Sequence, residues 1–229
     1  MTVLYEDNHI IAVNKTNSEI VQGDKTGDMP LSDMVKAYIK EKYSKPGDVF
    51  IGVPHRLDRP TSGVVLFART SKALSRLTEM FRNHGEITKT YWAIVKRRHG
   101  DVIQPSDSIV TLDNYLYRNE QQNKSYVVEP THRDAKRAVL HYKIIAQSDN
   151  YQLLEIQLET GRHHQIRCQL AHIGMPVKGD LKYGAGRSNP GGGISLHARS
   201  IEFVHPVSRQ NLKIVAPVPE TDIWNIFNV

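Results

Sequence analysis

The chain has 229 residues, 39% of them hydrophobic, which suffices for a sizeable core in one domain or in one domain with two lobes. Lys and Arg number 30 against 24 Asp and Glu, a net charge of +6 that favours a polyanionic partner, with nucleic acid foremost. The single cysteine, Cys168, excludes an intrachain disulfide and suits a reducing compartment. The start, Met1-Thr2-Val3-Leu4-Tyr5-Glu6-Asp7, has no basic segment followed by an apolar one. No apolar run approaches a membrane span, so a cytoplasmic protein that does not enter the membrane is expected.

Residues 3–5 and 10–14 read as two short strands joined by a turn at Asp7-Asn8. Residues 17–29 are polar with Gly23 and Gly27, and read as a loop. Leu31, Met34, Val35, Tyr38 and Ile39 recur at helical spacing and predict a helix over 30–43, broken by Pro46-Gly47. Residues 64–68 form an apolar run of the kind a buried strand needs. Leu74, Leu77, Met80 and Phe81 predict a second helix over 71–83, with Thr70 or Ser71 as cap and Gly85 as terminator. Residues 89–95 alternate as a strand.

Residues 97–123 read as polar and irregular, opening on Lys96-Arg97-Arg98-His99, a charge run that suits a solvated face or a phosphate contact. Strands are predicted over 138–146 and 153–158 around Ser148-Asp149-Asn150, and a short helix over 164–173 ending at Gly174-Met175-Pro176. The glycine-rich stretch 184–193 reads as mobile. It lacks the Gly-Lys-Ser/Thr of a phosphate loop. Strands over 194–204 and 212–215 and a helix near 221–227 close the chain. Many strands with few helices between them favour an α+β domain with a mixed, largely antiparallel sheet and flanking helices.

Two clusters carry chemistry. In His55-Arg56-Leu57-Asp58-Arg59-Pro60-Thr61-Ser62-Gly63 one carboxylate sits between two arginines, just before the apolar strand. A carboxylate at the edge of an apolar wall is costly unless paired, and guanidinium neighbours hold it ionised. The second cluster runs from Thr160 to His172. On a helix, His164, Cys168 and His172 fall on one face and suggest a metal site of a hydrolase. Against that, no second ligand pair lies nearby, and Arg162 and Arg167 repel a cation.

The first cluster resembles the signature of the RluA-type pseudouridine synthases, His-Arg-Leu-Asp-x-x-Thr-Ser-Gly, with every fixed position filled. Gly161-Arg162-His163-His164-Gln165-Ile166-Arg167 and the following Ala171-His172-Ile173-Gly174 resemble the family's third motif, and Lys89-Thr90-Tyr91 resembles its Lys-x-Tyr strand. Asn14-Lys15 is similar to an N-terminal Asn-Lys that the family usually follows with Pro; Thr16 stands there here. Segments 176–184, 196–198 and 203–206 also match, and are read as architecture.

The resemblance implies a pseudouridine synthase fold with a central catalytic cleft, a single catalytic domain over 1–229, and an isomerase acting on uridines of ribosomal RNA, transfer RNA or both. Asp58 would be the catalytic carboxylate, Arg167 its guanidinium partner, and Tyr91 the ring that stacks on uracil and helps the C5 proton leave. Arg56 would hold the flipped-out state. His55, Arg59, Thr61, Lys89, Arg162, His164 and the apolar Ile166 would complete the substrate site. The expected substrate is an RNA stem-loop. No metal or organic cofactor is implied, and a monomer is the expectation. The family pattern begins at about Leu4, which leaves no room for the S4-type RNA-binding domain some members carry. The competing reading is an RNA-binding protein without catalysis that uses the same basic cleft.

Overall fold

The computed structural model describes residues 1–83, 85–97, 105 and 107–228. The chain divides into two compact units, Met1–Lys89 with Ala198–Val218, and Thr90–His197 with Pro219–Val229.

The first unit is built on β1 (Thr2–Glu6), β2 (Ile10–Lys15), β3 (Ser62–Ala68), all but the first two residues of a strand Leu196–Val204 and a strand Asn211–Val215. β1 and β2 form the predicted hairpin, whose turn is closed by Asp7: Oδ1 accepts the amides of His9 and Ile10. β2 pairs antiparallel with β3, Ile10 opposite Ala68 and Lys15 opposite Gly63. The helices are α1 (Leu31–Lys42) and α2 (Ser71–Arg82), the latter capped by Thr70, whose Oγ1 accepts the Ala73 amide.

The two apolar runs are continuous because both faces of these strands are covered. Ile10, Ala12, Val64 and Leu66 pack with Ala73, Leu77 and Met80 of α2. Ile11, Val13, Val65 and Phe67 pack with Leu31, Val35 and Ile39 of α1. Period-two alternation thus assigns one helix to each face.

The second unit carries most of β4 (Ile87–Lys96), then β5 (Val110–Asn119), β6 (Lys124–Val128), β7 (Lys136–Gln147) and β8 (Tyr151–Leu158), in the order β4-β8-β7-β5-β6. Every one of these pairings is antiparallel. α3 (Gln165–His172) lies on one face, where Ile166 and Leu170 pack with Ala93, Val95, Leu140, Leu154 and Ile156. The strand Leu196–Val204 is β9, Asn211–Val215 is β10, and α4 is Asp222–Asn225.

The expected α+β class with largely antiparallel pairing holds. Residues 97–123 are less irregular than the sequence suggests, since β5 occupies most of their second half. Its alternation is obscured by Asp113 and Asn114, whose partners are remote: Arg137 on β7 and Gln169 on α3. Residues 98–104 and 106, with Arg98 and His99 of the basic run, lie outside the described residues. The helix predicted from His164 starts one residue later, because His164 is left-handed at φ 53°. In the glycine-rich stretch, Asn189 accepts from Lys178 Nζ at 2.7 Å and donates to Ser195 Oγ at 3.1 Å. No helix among the described residues is long and apolar enough to cross a membrane.

Candidate active site

The signature segment is pinned to the first unit at three points. His55 Nε2 accepts the Leu66 amide of β3 at 2.9 Å, and its ring stacks on Phe81 of α2 at 4.3 Å between centroids. Accepting that hydrogen makes His55 neutral, with its proton on Nδ1. Burial, with Lys89 adding to it, pushes the ring's pKa down to about 3. Burial also lowers the pKa of Lys89.

The second point is Lys15, at the end of β2 and 1% exposed. Its ammonium donates to the carbonyls of Thr16, Arg59 and Thr61 at 2.9, 2.8 and 2.6 Å. All three of its protons are used, and two of them hold the segment that follows Asp58. Burial brings its pKa down to about 8, against the attraction of Glu19 and Asp58. The third point is Gly63, at φ +113°. A Cβ there would lie 2.6 Å from the Ala198 backbone nitrogen of β9 and closer still to its carbonyl oxygen. Only glycine lets the two backbones come so close.

Between these points the Thr61 amide donates to the Asp58 carbonyl at 3.0 Å, closing a tight turn. The half-buried Asp58 side chain is carried on that turn. Arg56 is exposed. Arg59 reaches the 17–29 loop, pairing with Asp28 at 2.6 Å. Thr61 is buried, and its Oγ1 has no hydrogen-bond partner among the described residues. A buried hydroxyl left in that state costs about 1–3 kcal/mol, so it is poised to receive a partner.

Tyr91, Ile166 and Arg167 belong to the second unit. Tyr91 is partly buried against the same apolar cluster that contains Ile166. Lys89 and Tyr91, two apart on β4, share a face of that strand. Arg167, 4% exposed, forms a bidentate pair with Asp180: Nε to Oδ2 at 2.6 Å and a terminal nitrogen to Oδ1 at 2.9 Å. The Tyr183 ring covers the guanidinium at 5.1 Å.

The rest of the third motif organises the turn before α3. Gln165 Oε1 accepts the Thr160 hydroxyl and the Arg162 amide, while its Nε2 donates to the Val139 carbonyl. The Tyr183 hydroxyl accepts the Ser125 amide at 2.8 Å and lies in hydrogen-bond contact with His164 Nδ1 at 3.0 Å. Burial and the cations around it lower the His164 pKa to about 2. Arg162 is exposed and donates from Nε to the Arg137 carbonyl.

The structure therefore gathers His55, Asp58, Arg59 and Thr61 with Lys15 in one unit, and Arg162, His164 and Arg167 with Asp180 and Tyr183 in the other. Lys15, Asp180 and Tyr183 stand in segments that the sequence reading treats as architecture. The proposed metal face does not continue along one helix, since His164 precedes α3. Cys168 Sγ is buried and donates to the Ser125 carbonyl at 3.2 Å, and burial pushes its pKa up to about 11. Among the described residues no group of three or more His, Cys, Asp or Glu is arranged to hold a metal ion.

A family model described as RNA pseudouridylate synthase matches residues 9–172. An uncharacterized RNA pseudouridine synthase of Bacillus subtilis, YlyB, is 33% identical over 96% of this chain and 70% of its own length. Ribosomal large subunit pseudouridine synthase D of Xylella fastidiosa is 32% identical over 96% of this chain and 66% of its own. Among solved structures, human RNA pseudouridylate synthase domain containing 4 matches with a TM-score of 0.76 at 22% identity, covering 96% of this chain and 89% of that one, a likeness of fold. With nearly three quarters of its length inside the family match and the signature carboxylate on a turn pinned from three sides, the chain belongs to the RluA-type RNA pseudouridylate synthases, isomerases that act on RNA.

Proposed function

We propose that this chain converts particular uridines of ribosomal RNA, transfer RNA or both into pseudouridine, with Asp58 as the essential carboxylate. The observation that carries this reading is the construction of the Asp58 turn. A buried ammonium, a neutral histidine and an obligatory glycine converge on one short segment whose only acidic side chain is half-buried. Such over-determination is what a reactive group held in one orientation requires.

In the reaction the bond between C1′ and N1 breaks, the uracil turns, and C1′ joins C5. The proton on C5 leaves and N1 ends protonated, so nothing is oxidised or reduced. The uridine must first leave its stack, which RNA loops permit at low cost. Asp58 acts on the sugar or the base while the glycosidic bond is open. Tyr91 supports the ring and assists loss of the C5 proton. Arg167, fixed in plane by Asp180, supplies the guanidinium that pairs with and orients the site's carboxylate. The Thr61 hydroxyl is a donor available to substrate. Arg56, exposed beside Asp58, holds the turned-out nucleotide's place, and His55, Arg59, Lys89, Arg162, His164 and Ile166 shape the surrounding site.

The test is to incubate the protein with unmodified transcripts of large-subunit ribosomal RNA and of transfer RNAs, then map pseudouridine at single-nucleotide resolution. Product at one or a few positions is expected. Its absence from every transcript overturns the reading.

A further inference from the structure

Within the second unit a pocket of about 750 Å³ lies between the β5–β6 hairpin and the turn 161–163. Of the residues given a part in the uridine site, Arg162 lines it and Asp58, Lys89, Tyr91, Ile166 and Arg167 do not. Three cationic side chains reach it from three separate segments: Arg118 near the end of β5, Lys136 at the start of β7, and Arg162 from the turn before α3. Two acidic residues, Glu120 and Asp134, share the lining.

The cations are held in place by the fold. Arg118 is paired in register with Ser125, and Leu116 with Lys136, so the two strands fix the spacing of the two charges. Arg162 Nε is bonded to the Arg137 carbonyl, which sets the plane of its guanidinium. His163 forms part of the wall. It is stacked on His164 at 3.8 Å, and its Nδ1 and Nε2 lie 2.9 and 3.1 Å from Ser125 Oγ and Asn123 Oδ1. Burial chiefly, with Arg167, His163, Lys182 and Arg118 adding to it, keeps the neighbouring His164 uncharged.

A pocket for an apolar ligand is lined by hydrocarbon with a few polar groups. Here the proportion is reversed: charged and amide side chains dominate, including Asn119 and Gln121. The volume exceeds what a lone phosphate needs and suits a nucleotide. Unpaired RNA offers a base edge for amide groups and a phosphate for guanidinium groups within one residue.

We propose that this pocket receives an unpaired nucleotide of the RNA substrate other than the uridine being isomerised, with its phosphates on Arg118, Lys136 and Arg162 and its base edge on the amide side chains. This rests on the RNA-modifying reading above and names a second point at which the same RNA is gripped. It gives target choice a place in the catalytic domain itself.

The test uses the full chain and the large-subunit ribosomal and transfer RNA transcripts. In Arg118→Gln/Lys136→Gln, KM for the modified transcript should rise about tenfold at 0.15 M salt. The slope of log affinity against log salt should fall by about 1.4, the contribution of two contacts to single-stranded phosphates. Both positions are exposed, so a matching thermal melt is the folding control. As a measurement independent of substitution, 4-thiouridine placed through the transcript at positions other than the modified uridine should crosslink the wild-type protein within 116–121. An unchanged KM and salt slope, or crosslinks that avoid that segment, overturns the inference while wild-type product formation leaves the functional reading standing. Failure of the wild type to modify any transcript strikes the functional reading instead.

Discussion

Replacing Lys15 with methionine keeps the length of the side chain and removes its charge. The lysine pKa falls from 10.5 to about 8, so in the fold the ammonium is disfavoured against the neutral amine by about 3 kcal/mol, its attractions included. Methionine relieves that cost but leaves the carbonyls of Thr16, Arg59 and Thr61 without their donor, and each buried acceptor so orphaned costs about 1–3 kcal/mol. The orphaned acceptors together outweigh the relief, so Lys15→Met should destabilise the protein by about 2–4 kcal/mol. It should also loosen the Asp58 turn. Alkaline pH probes the same group without mutation. A neutral amine has two protons for three carbonyls, so activity should decline as pH rises through about 8.

Stability moves the other way. The folded-state pKa lies below the unfolded one, so between pH 8 and 10.5 the unfolded chain holds a proton at Lys15 that the folded chain has released, and this group's contribution to stability rises with pH. Urea denaturation and a pH–rate profile on wild type and Lys15→Met read both effects. The reasoning fails if the variant matches wild type in stability at pH 7 and keeps the same alkaline limb.

Three further outcomes are expected. His55 is neutral in the fold down to about pH 3 but protonates near 6.5 when unfolded, so its contribution to stability is lost as pH falls from 6.5 toward 3; urea midpoints at pH 7 and 4.5 should differ less in His55→Gln than in wild type. Gly63→Ala places a methyl against the backbone of β9 at a left-handed position, and should abolish soluble folded protein, as circular dichroism would reveal. Asp180→Asn leaves the buried Arg167 guanidinium without its bidentate carboxylate and should cost about 3–5 kcal/mol, measured by thermal or urea unfolding; a loss under 1 kcal/mol contradicts the structural weight given to that pair.

What could be read in advance was whatever lies close together in sequence. The runs at 10–14 and 64–68 announce strands, and the spacing of Leu31, Val35 and Ile39 announces a helix, whereas the covering of both strand faces emerges from the packing. β5 was hidden because Asp113 and Asn114 interrupt its apolar pattern, and nothing local signals that Arg137 and Gln169 satisfy them. The same limit applies at the site. The residues of the signature are contiguous and legible. Lys15 acts on them from 44 and 46 positions away, and Asp180 meets Arg167 across a turn of 13. A lysine or an aspartate in isolation carries no mark of such a partner. Thr61 was legible as part of the motif, but its unpartnered hydroxyl emerges only from the packing around it.

The central claim is that the Asp58 carboxylate performs the isomerisation. The most direct measurement is single-turnover tritium release from C5-labelled uridine in a modified transcript, comparing wild type with Asp58→Asn at saturating enzyme. The account predicts complete loss of release in the variant, with RNA affinity and melting temperature retained. Tritium released by Asp58→Asn at a rate near that of wild type contradicts it.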